Sequence, residues 1–190
     1  MKKQLTYLTI LSLFLFQGNA ILAQGEVELK INPVGALFGF FDVAGEYMVN
    51  ENFGAELSLG LVTGKATTVD VEGADPTKSG FGVMGYGKYY FSPDQGCDRF
   101  YAGVYLRQRS WKVEDGDNED YAAFKRSIVG AGIGVGYKVV GDSGILFEIG
   151  FGIGRAISEK NEWVDENNEG GEFPNLGVDG IGRLAVGYRF

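Results

Sequence analysis

The chain has 190 residues, of which 31 are glycine, 14 phenylalanine and 10 tyrosine, and its formal net charge is −8 at neutral pH. This acidic balance excludes a nucleic-acid-binding role, because affinity for the phosphate backbone depends on lysine and arginine. With no histidine and one cysteine, the sequence also excludes Ser–His and Cys–His nucleophile pairs, histidine metal sites and an intramolecular disulfide.

The amino-terminal segment has the pattern of a secretory signal peptide. Its first three residues include two lysines, a mostly apolar stretch follows over Leu5–Phe16, and small residues allow cleavage after Ala20 or Ala23. No later segment has the roughly 18 consecutive apolar residues of a membrane-spanning helix. We therefore expect residues 1–23 to be removed and residues 24–190 to form one exported domain.

Eight later segments are predicted strands. Most are near or above the roughly 9–11 residues that a tilted strand needs to cross a bilayer, whereas strands of soluble domains average about 5–6. The segments are Glu26–Leu37, Phe41–Val49, Phe53–Thr63, Gly80–Phe91, Arg99–Trp111, Phe124–Val139, Ile145–Ile157 and Val178–Phe190. They predict an all-β fold, an eight-stranded antiparallel up-and-down transmembrane β-barrel.

The predicted connections alternate in length. Three short turns rich in Asn, Asp, Gly, Ser or Pro would lie on the periplasmic side, as Asn50–Asn52, Ser92–Asp98 and Val140–Gly144. Three long connections would lie outside, as Gly64–Ser79, Lys112–Ala123 and Ser158–Gly177, with a tight connection near Phe38–Phe40 as the exception. This asymmetry is typical of bacterial barrels. The last two long loops are strongly acidic, and we interpret them as solvated external loops, with divalent-cation binding as the alternative.

Alternation along the strands assigns one apolar face and one polar face. In the last strand Leu184, Tyr188 and Phe190 oppose Arg183 and Arg189, as expected if one face meets lipid and the other the lumen. The same rule predicts a charge network in the lumen, formed by Asp42, Glu46, Glu56, Lys88, Arg107, Arg109, Glu148 and Arg183. Because an unpaired buried charge is costly, we expect the three glutamates to pair with some of the four cations.

Two glycine strings also fit the interior of a barrel. Glycine alternates from Gly130 to Gly136 and again from Gly150 to Gly154, within strands rather than between a strand and a helix as in a dinucleotide-binding fold. On the inward face these glycines would leave room for the large tyrosine, arginine and lysine side chains of strands four and five. An eight-stranded barrel is just wide enough for such side chains to fill it.

Three short motifs, Gly45-Glu46-Tyr47, Lys88-Tyr89-Tyr90-Phe91 and Val186-Gly187-Tyr188-Arg189-Phe190, give the chain a family resemblance. Together with the strand spacing, they make it similar to small OmpA/OmpX-type eight-stranded outer-membrane barrels and to the outer-membrane β-barrel domain family. The resemblance implies an outer-membrane location and an assembly signal at Tyr188 and Phe190. The partners it implies are outer-membrane lipid, the barrel-assembly machinery and, for an accessory subunit, a larger outer-membrane complex.

The family resemblance implies no unique activity, because proteins with the same fold can have unrelated functions. A non-enzymatic structural, interaction or accessory-subunit role without a cofactor is the expected function, and a narrow channel or a small-ligand or cation-binding barrel is the alternative. A soluble periplasmic lipid carrier with a lipocalin-like barrel is a weaker third possibility, since it would need an apolar interior, whereas the charged face here has to lie inside or in water. Carboxylates that could approach one another, such as Glu46 with Glu56 or Asp42, are better interpreted as members of structural ion-pair networks than as catalysts, and Cys97 as an incidental free thiol.

Overall fold

Alternation of outward apolar residues with inward polar, aromatic or glycine residues produces eight strands. The computed structural model describes residues 26–33, 40–65, 77–114, 124–163 and 177–190. The strands are β1 (Val27–Ile31), β2 (Phe40–Asn50), β3 (Phe53–Lys65), β4 (Thr77–Tyr90), β5 (Arg99–Glu114), β6 (Phe124–Val140), β7 (Ile145–Trp163) and β8 (Val178–Arg189). Each pairs antiparallel with the next, and β1 pairs with β8 to close the barrel. The predicted fold class is confirmed.

The strand ends differ from the sequence prediction most at the end of the barrel with the long connections, and by one residue at several other ends. The first strand ends at Ile31, before Pro33, which has no backbone N–H to donate to a ladder; residues 34–37 of the predicted strand lie outside the described residues. At the same end of the barrel β4, β5 and β7 extend into residues that were predicted as external connections, since cross-strand pairing continues through Thr77↔Glu114 and Phe124↔Trp163. The predicted signal peptide, most of the long connections and the tight connection at Phe38 lie outside the described residues.

Tyrosines fill the middle of the barrel against the glycines of β6 and β7. Tyr86, Tyr90, Tyr101 and Tyr105 are almost completely buried and form one aromatic cluster. A Cβ atom added at either Gly132 or Gly154 would lie 2.6 Å from the Tyr105 hydroxyl oxygen, so only glycine gives this ring its space. Aromatic side chains of two strands thus occupy the volume that the glycines of two others leave free.

The turn between β4 and β5 covers one end of the lumen. The Cys97 amide donates to the Glu51 carbonyl oxygen at 2.7 Å, and the Cys97 side chain is completely buried. Burial raises the pKa of the Cys97 thiol to about 12, which keeps it protonated and unreactive near neutral pH. In the described parts of the chain, no helix is long and apolar enough to cross a membrane.

Candidate functional site

Two lysine ammonium groups and three glutamates form the centre of the lumen. Lys88 Nζ lies 2.7 Å from Glu148, 2.8 Å from Glu56 and 3.1 Å from Glu46. Lys30 Nζ lies 2.7 Å from Glu148 and 2.6 Å from Glu56, and it also contacts Glu46. All five side chains are completely buried. The charges are therefore compensated by short contacts in a place that water does not reach.

Further ion pairs extend this centre along the barrel. Glu28 accepts from Lys138 at 2.7 Å and from Arg189 at 2.6 Å, while Arg183 contacts Glu56 and lies 4.0 Å from Asp42. We call the resulting set the lumen network. It comprises five cations and five carboxylates: Lys30, Lys88, Lys138, Arg183, Arg189, Glu28, Asp42, Glu46, Glu56 and Glu148.

Two tyrosine hydroxyls add hydrogen bonds to the central glutamates of the lumen network. Tyr90 donates to Glu46 at 2.6 Å, and Tyr101 donates to Glu148 at 2.7 Å. A buried ion pair gains from its mutual attraction only when its remaining hydrogen-bonding capacity is also satisfied. With the two lysines, these donors satisfy both oxygens of Glu46 and of Glu148, so the centre of the lumen network works as a polar plug rather than as a set of isolated buried charges.

Arg107 and Arg109 lie apart from the glutamates, nearer the end of the barrel with the long connections. Arg109 pairs with Asp179 at 2.7 Å, and Arg107 contacts the same carboxylate and the Gly180 carbonyl oxygen at 2.6 Å. The Arg109 guanidinium also lies 5.7 Å from the centre of the Trp111 ring. The predicted lumen charges thus separate into the lumen network and this second group.

Sequence reasoning did not find several members of these two groups. Glu28 and Lys30 alternate with Val27, Leu29 and Ile31, and that period-two signal could have placed them inward. Asp179 lies four residues before Arg183 in β8, so the same period-two alternation places its side chain inward as well. Arg189 was assigned to the polar face, and Lys138 continues the inward alternation of the glycines in β6, but nothing in the sequence indicated that both meet Glu28.

A cavity separates the lumen network from the arginine pair. It has a volume of about 50 Å³, which is above the roughly 10–15 Å³ that a single water molecule needs. Its walls include Phe40, Asp42, Tyr86, Arg107, Ile181 and Arg183. Among the described residues, Asp42 Oδ1, the Tyr86 hydroxyl and Arg183 Nε have no hydrogen-bond partner. The cavity is therefore polar on one side and apolar on the other.

The three central glutamates have a spacing that a metal site could use. One oxygen from each of Glu46, Glu56 and Glu148 lies within 4.8 Å of the others. Lys30 and Lys88, however, each contact all three carboxylates. The two ammonium groups supply the positive charge that a metal ion would bring, so this residue set fits a lysine-centred salt-bridge cluster better than a cation site.

The two residues of the predicted assembly signal lie on the outer surface. Tyr188 and Phe190 are both exposed, and their ring centroids are 5.0 Å apart in an edge-to-face arrangement. The Phe190 amide donates to the Val27 carbonyl oxygen at 3.0 Å. The end of the chain is therefore fastened to β1 at the seam where the barrel closes.

Comparison with known proteins gives one informative structural match. The structure is similar to the crystal structure of Ail, the attachment invasion locus protein of Yersinia pestis, with a TM-score of 0.51 and 11% sequence identity, over 87% of this chain and 99% of the Ail chain. The chain has the fold of an eight-stranded outer-membrane-type β-barrel. No family model and no curated protein sequence matches it. At this identity the likeness to Ail concerns the fold alone.

Proposed function

We propose that this chain is an integral outer-membrane β-barrel protein with a non-enzymatic structural, interaction or accessory-subunit role. The observation that carries the proposal is a band of exposed apolar side chains around a barrel whose interior is charged and filled. Ile133, Phe151 and Leu106 are 66%, 69% and 57% exposed near the middle of their strands. A soluble protein rarely exposes a continuous apolar surface of this kind.

The height of the apolar band supports the membrane assignment. On β6 the outward positions from Val129 to Val139 are apolar, aromatic or alanine. With a rise of about 3.4 Å per residue and a tilt of about 35–45°, this stretch spans a height of about 24–28 Å. The lipid-facing band of outer-membrane barrels is about 25 Å tall, so the two heights agree.

Aromatic residues mark one edge of the band. Outward rings cluster at the end of the barrel with the short turns, where Phe91 lies 5.1 Å from Tyr89 and 5.6 Å from Phe100, measured between ring centroids. The exposed rings at this end are Tyr47, Phe53, Tyr89, Phe91, Phe100, Tyr137, Phe147, Tyr188 and Phe190. Aromatic girdles of this kind lie at the membrane–water interface of barrels.

The non-enzymatic part of the proposal rests on the lumen network. Each central glutamate contacts two lysines, whereas a general base or nucleophile needs an accessible lone pair near a substrate. The contacts of the protein with its surroundings would then come from its outer surface and its loops. Ail is described as an attachment and invasion protein, and a contact role at the cell surface would be similar in kind.

A second candidate function is the binding of a small ligand, and the cavity beside Asp42, Tyr86 and Arg183 favours it. A through-channel is the less favoured form, because the lumen network lies between this cavity and the end with the short turns. Purified protein in a planar bilayer should show no stable conductance, as expected for a filled eight-stranded barrel. Reproducible ion flux through the unmutated protein would favour the channel instead.

The membrane proposal is tested by fractionation and gel mobility. The protein should remain in the outer-membrane fraction after carbonate and urea washes, and it should migrate differently in detergent gels before and after boiling, because a closed sheet satisfies all its backbone hydrogen bonds. Mass spectrometry of the mature protein should show an amino terminus after Ala20 or Ala23. A fully water-soluble protein recovered from the periplasm would contradict the proposal.

A further inference from the structure

A polar groove lies on the outer surface of the barrel, at the end with the long connections. It has a volume of about 320 Å³, and its walls are Phe81, Gln108, Ser110, Lys125, Ser127 and Lys160. These residues come from four neighbouring strands, β4 to β7. Apart from the Phe81 ring, all the side chains can donate hydrogen bonds, and two of them are cations.

The strand register shows how these donors are arranged. Ser110 lies directly opposite Ser127, and Ser127 lies directly opposite Lys160, so two hydroxyls and an ammonium form one row across three strands. In the next row Lys125 lies between Lys112 and Glu162. Directly opposed side chains have Cβ atoms about 4.5–5.5 Å apart, and like charges in such positions repel.

Two of the residues that line the groove, Lys125 and Lys160, are cations. They lie on the same outward face of neighbouring strands, Lys160 opposite Ser127 and Lys125 two residues before Ser127, and form a group of two like charges. An anion bound between Lys125 and Lys160 would offset the repulsion within this group. The groove therefore suits a ligand with several acceptor oxygens and negative charge.

The groove lies at the edge of the apolar band. Ser127 and Lys125 are the next outward positions of β6 beyond Val129, toward the end of the barrel with the long connections. They lie about 5 Å and about 10 Å beyond Val129, which is the last apolar position. The polar headgroup region of a bilayer adds about 5–8 Å on each side of the hydrocarbon core. Lysine side chains near such an edge extend toward the headgroups. The groove thus coincides with the depth of lipid phosphates.

We propose that this groove binds the phosphate group of a membrane lipid. Lys125 and Lys160 would donate charge-assisted hydrogen bonds to the phosphate oxygens, and the hydroxyls of Ser110 and Ser127 would donate to the same group. The exposed Phe81 ring, which lies opposite Ser110, is the apolar wall of the groove. This inference rests on the proposed membrane location. The occupant is assigned to a lipid because a free phosphate ion would make no apolar contact with the Phe81 ring.

The test uses the full-length mature protein in phosphatidylcholine nanodiscs that contain a small fraction of either phosphatidic acid or diacylglycerol. These two lipids differ by the phosphate alone. Native mass spectrometry of the released protein measures which lipid stays bound. The unmutated protein should retain phosphatidic acid and not diacylglycerol, and excess inorganic phosphate should not displace it.

Variants locate the binding. Lys125→Gln and Lys160→Gln should each weaken phosphatidic acid retention on the order of fivefold, since a lysine near an anionic membrane surface contributes about that factor. Lys125→Arg should retain binding. The matched control is Arg99→Gln, which removes one exposed positive charge at the opposite end of the barrel and should change nothing.

Three results would overturn the proposal. The first is equal phosphatidic acid retention by Lys125→Gln, Lys160→Gln and Arg99→Gln, and the second is equal retention of diacylglycerol. The third is displacement by inorganic phosphate, which would indicate a site for soluble anions. In all three cases the protein is already folded in the nanodisc, so the membrane proposal would stand, whereas failure to enter the nanodisc would contradict that proposal instead.

Discussion

Replacing Lys88 by methionine perturbs the lumen network with little change in side-chain length. The Lys88 ammonium contacts three buried glutamates at 2.7–3.1 Å and is itself completely buried. Its loss leaves five carboxylates against four cations. Breaking a buried ion pair by removing one partner costs about 3–5 kcal/mol, and because Lys30 still contacts the same glutamates we expect the lower end, about 3 kcal/mol.

The assay is urea unfolding in detergent, followed by the gel mobility of folded and unfolded forms. Arg99→Met is the control, because Arg99 and its partner Asp94 are 47% and 64% exposed and such surface pairs contribute about 0–1 kcal/mol. The double variant Lys88→Met with Glu148→Gln restores charge balance, and it should lose less stability than the sum of the two single variants. A cost below about 1 kcal/mol for Lys88→Met, or strict additivity in the double variant, would refute the reasoning.

Three other predictions concern the outer face, the seam and the buried thiol. Ile133→Arg places a charge near the bilayer midplane and should reduce folding stability by about 2–4 kcal/mol, whereas Ser143→Arg in an exposed turn should have little effect; equal tolerance in the urea assay would show that the faces are wrongly assigned. Deleting Phe190 should lower the amount of protein assembled in cells without lowering synthesis or export, as measured by immunoblots of membrane fractions, and unchanged insertion would contradict its role as an assembly signal. Because burial raises the pKa of the Cys97 thiol to about 12, maleimide should label it in the unfolded and not in the folded protein at pH 8, and rapid labelling of the folded form would show that the turn is open.

Much of the fold could be predicted because barrel strands carry their signal locally. Period-two alternation identified the inward and outward faces of β5 to β8, and turn residues identified the three short connections. The external strand ends were missed because charged residues such as Lys112 and Lys160 do not end a strand that continues to pair with its neighbour. The charged composition of these residues favoured a loop, whereas the strand ends where its backbone hydrogen bonds to the neighbouring strand end.

The partners inside the lumen could be predicted only in part. Alternation places a side chain inward, but it does not give its height or its position around the barrel, and these depend on the register of all eight strands. Arg107 therefore meets Asp179 of β8 rather than one of the glutamates, and Lys30 reaches Glu148 from a strand whose partner, β8, lies at the other end of the sequence. Closure of the barrel creates these contacts.

The central claim is that the outward apolar band faces lipid, and depth-dependent fluorescence quenching tests it most directly. A fluorophore is attached to Ile133→Cys, Lys125→Cys or Ser143→Cys, and the protein is placed in vesicles whose acyl chains are brominated near the bilayer centre. We predict strong quenching at position 133, weak quenching at 125 and none at 143, since these positions lie in the band, at its edge and in an exposed turn. Equal and negligible quenching at all three positions in the folded protein would contradict the membrane-spanning barrel.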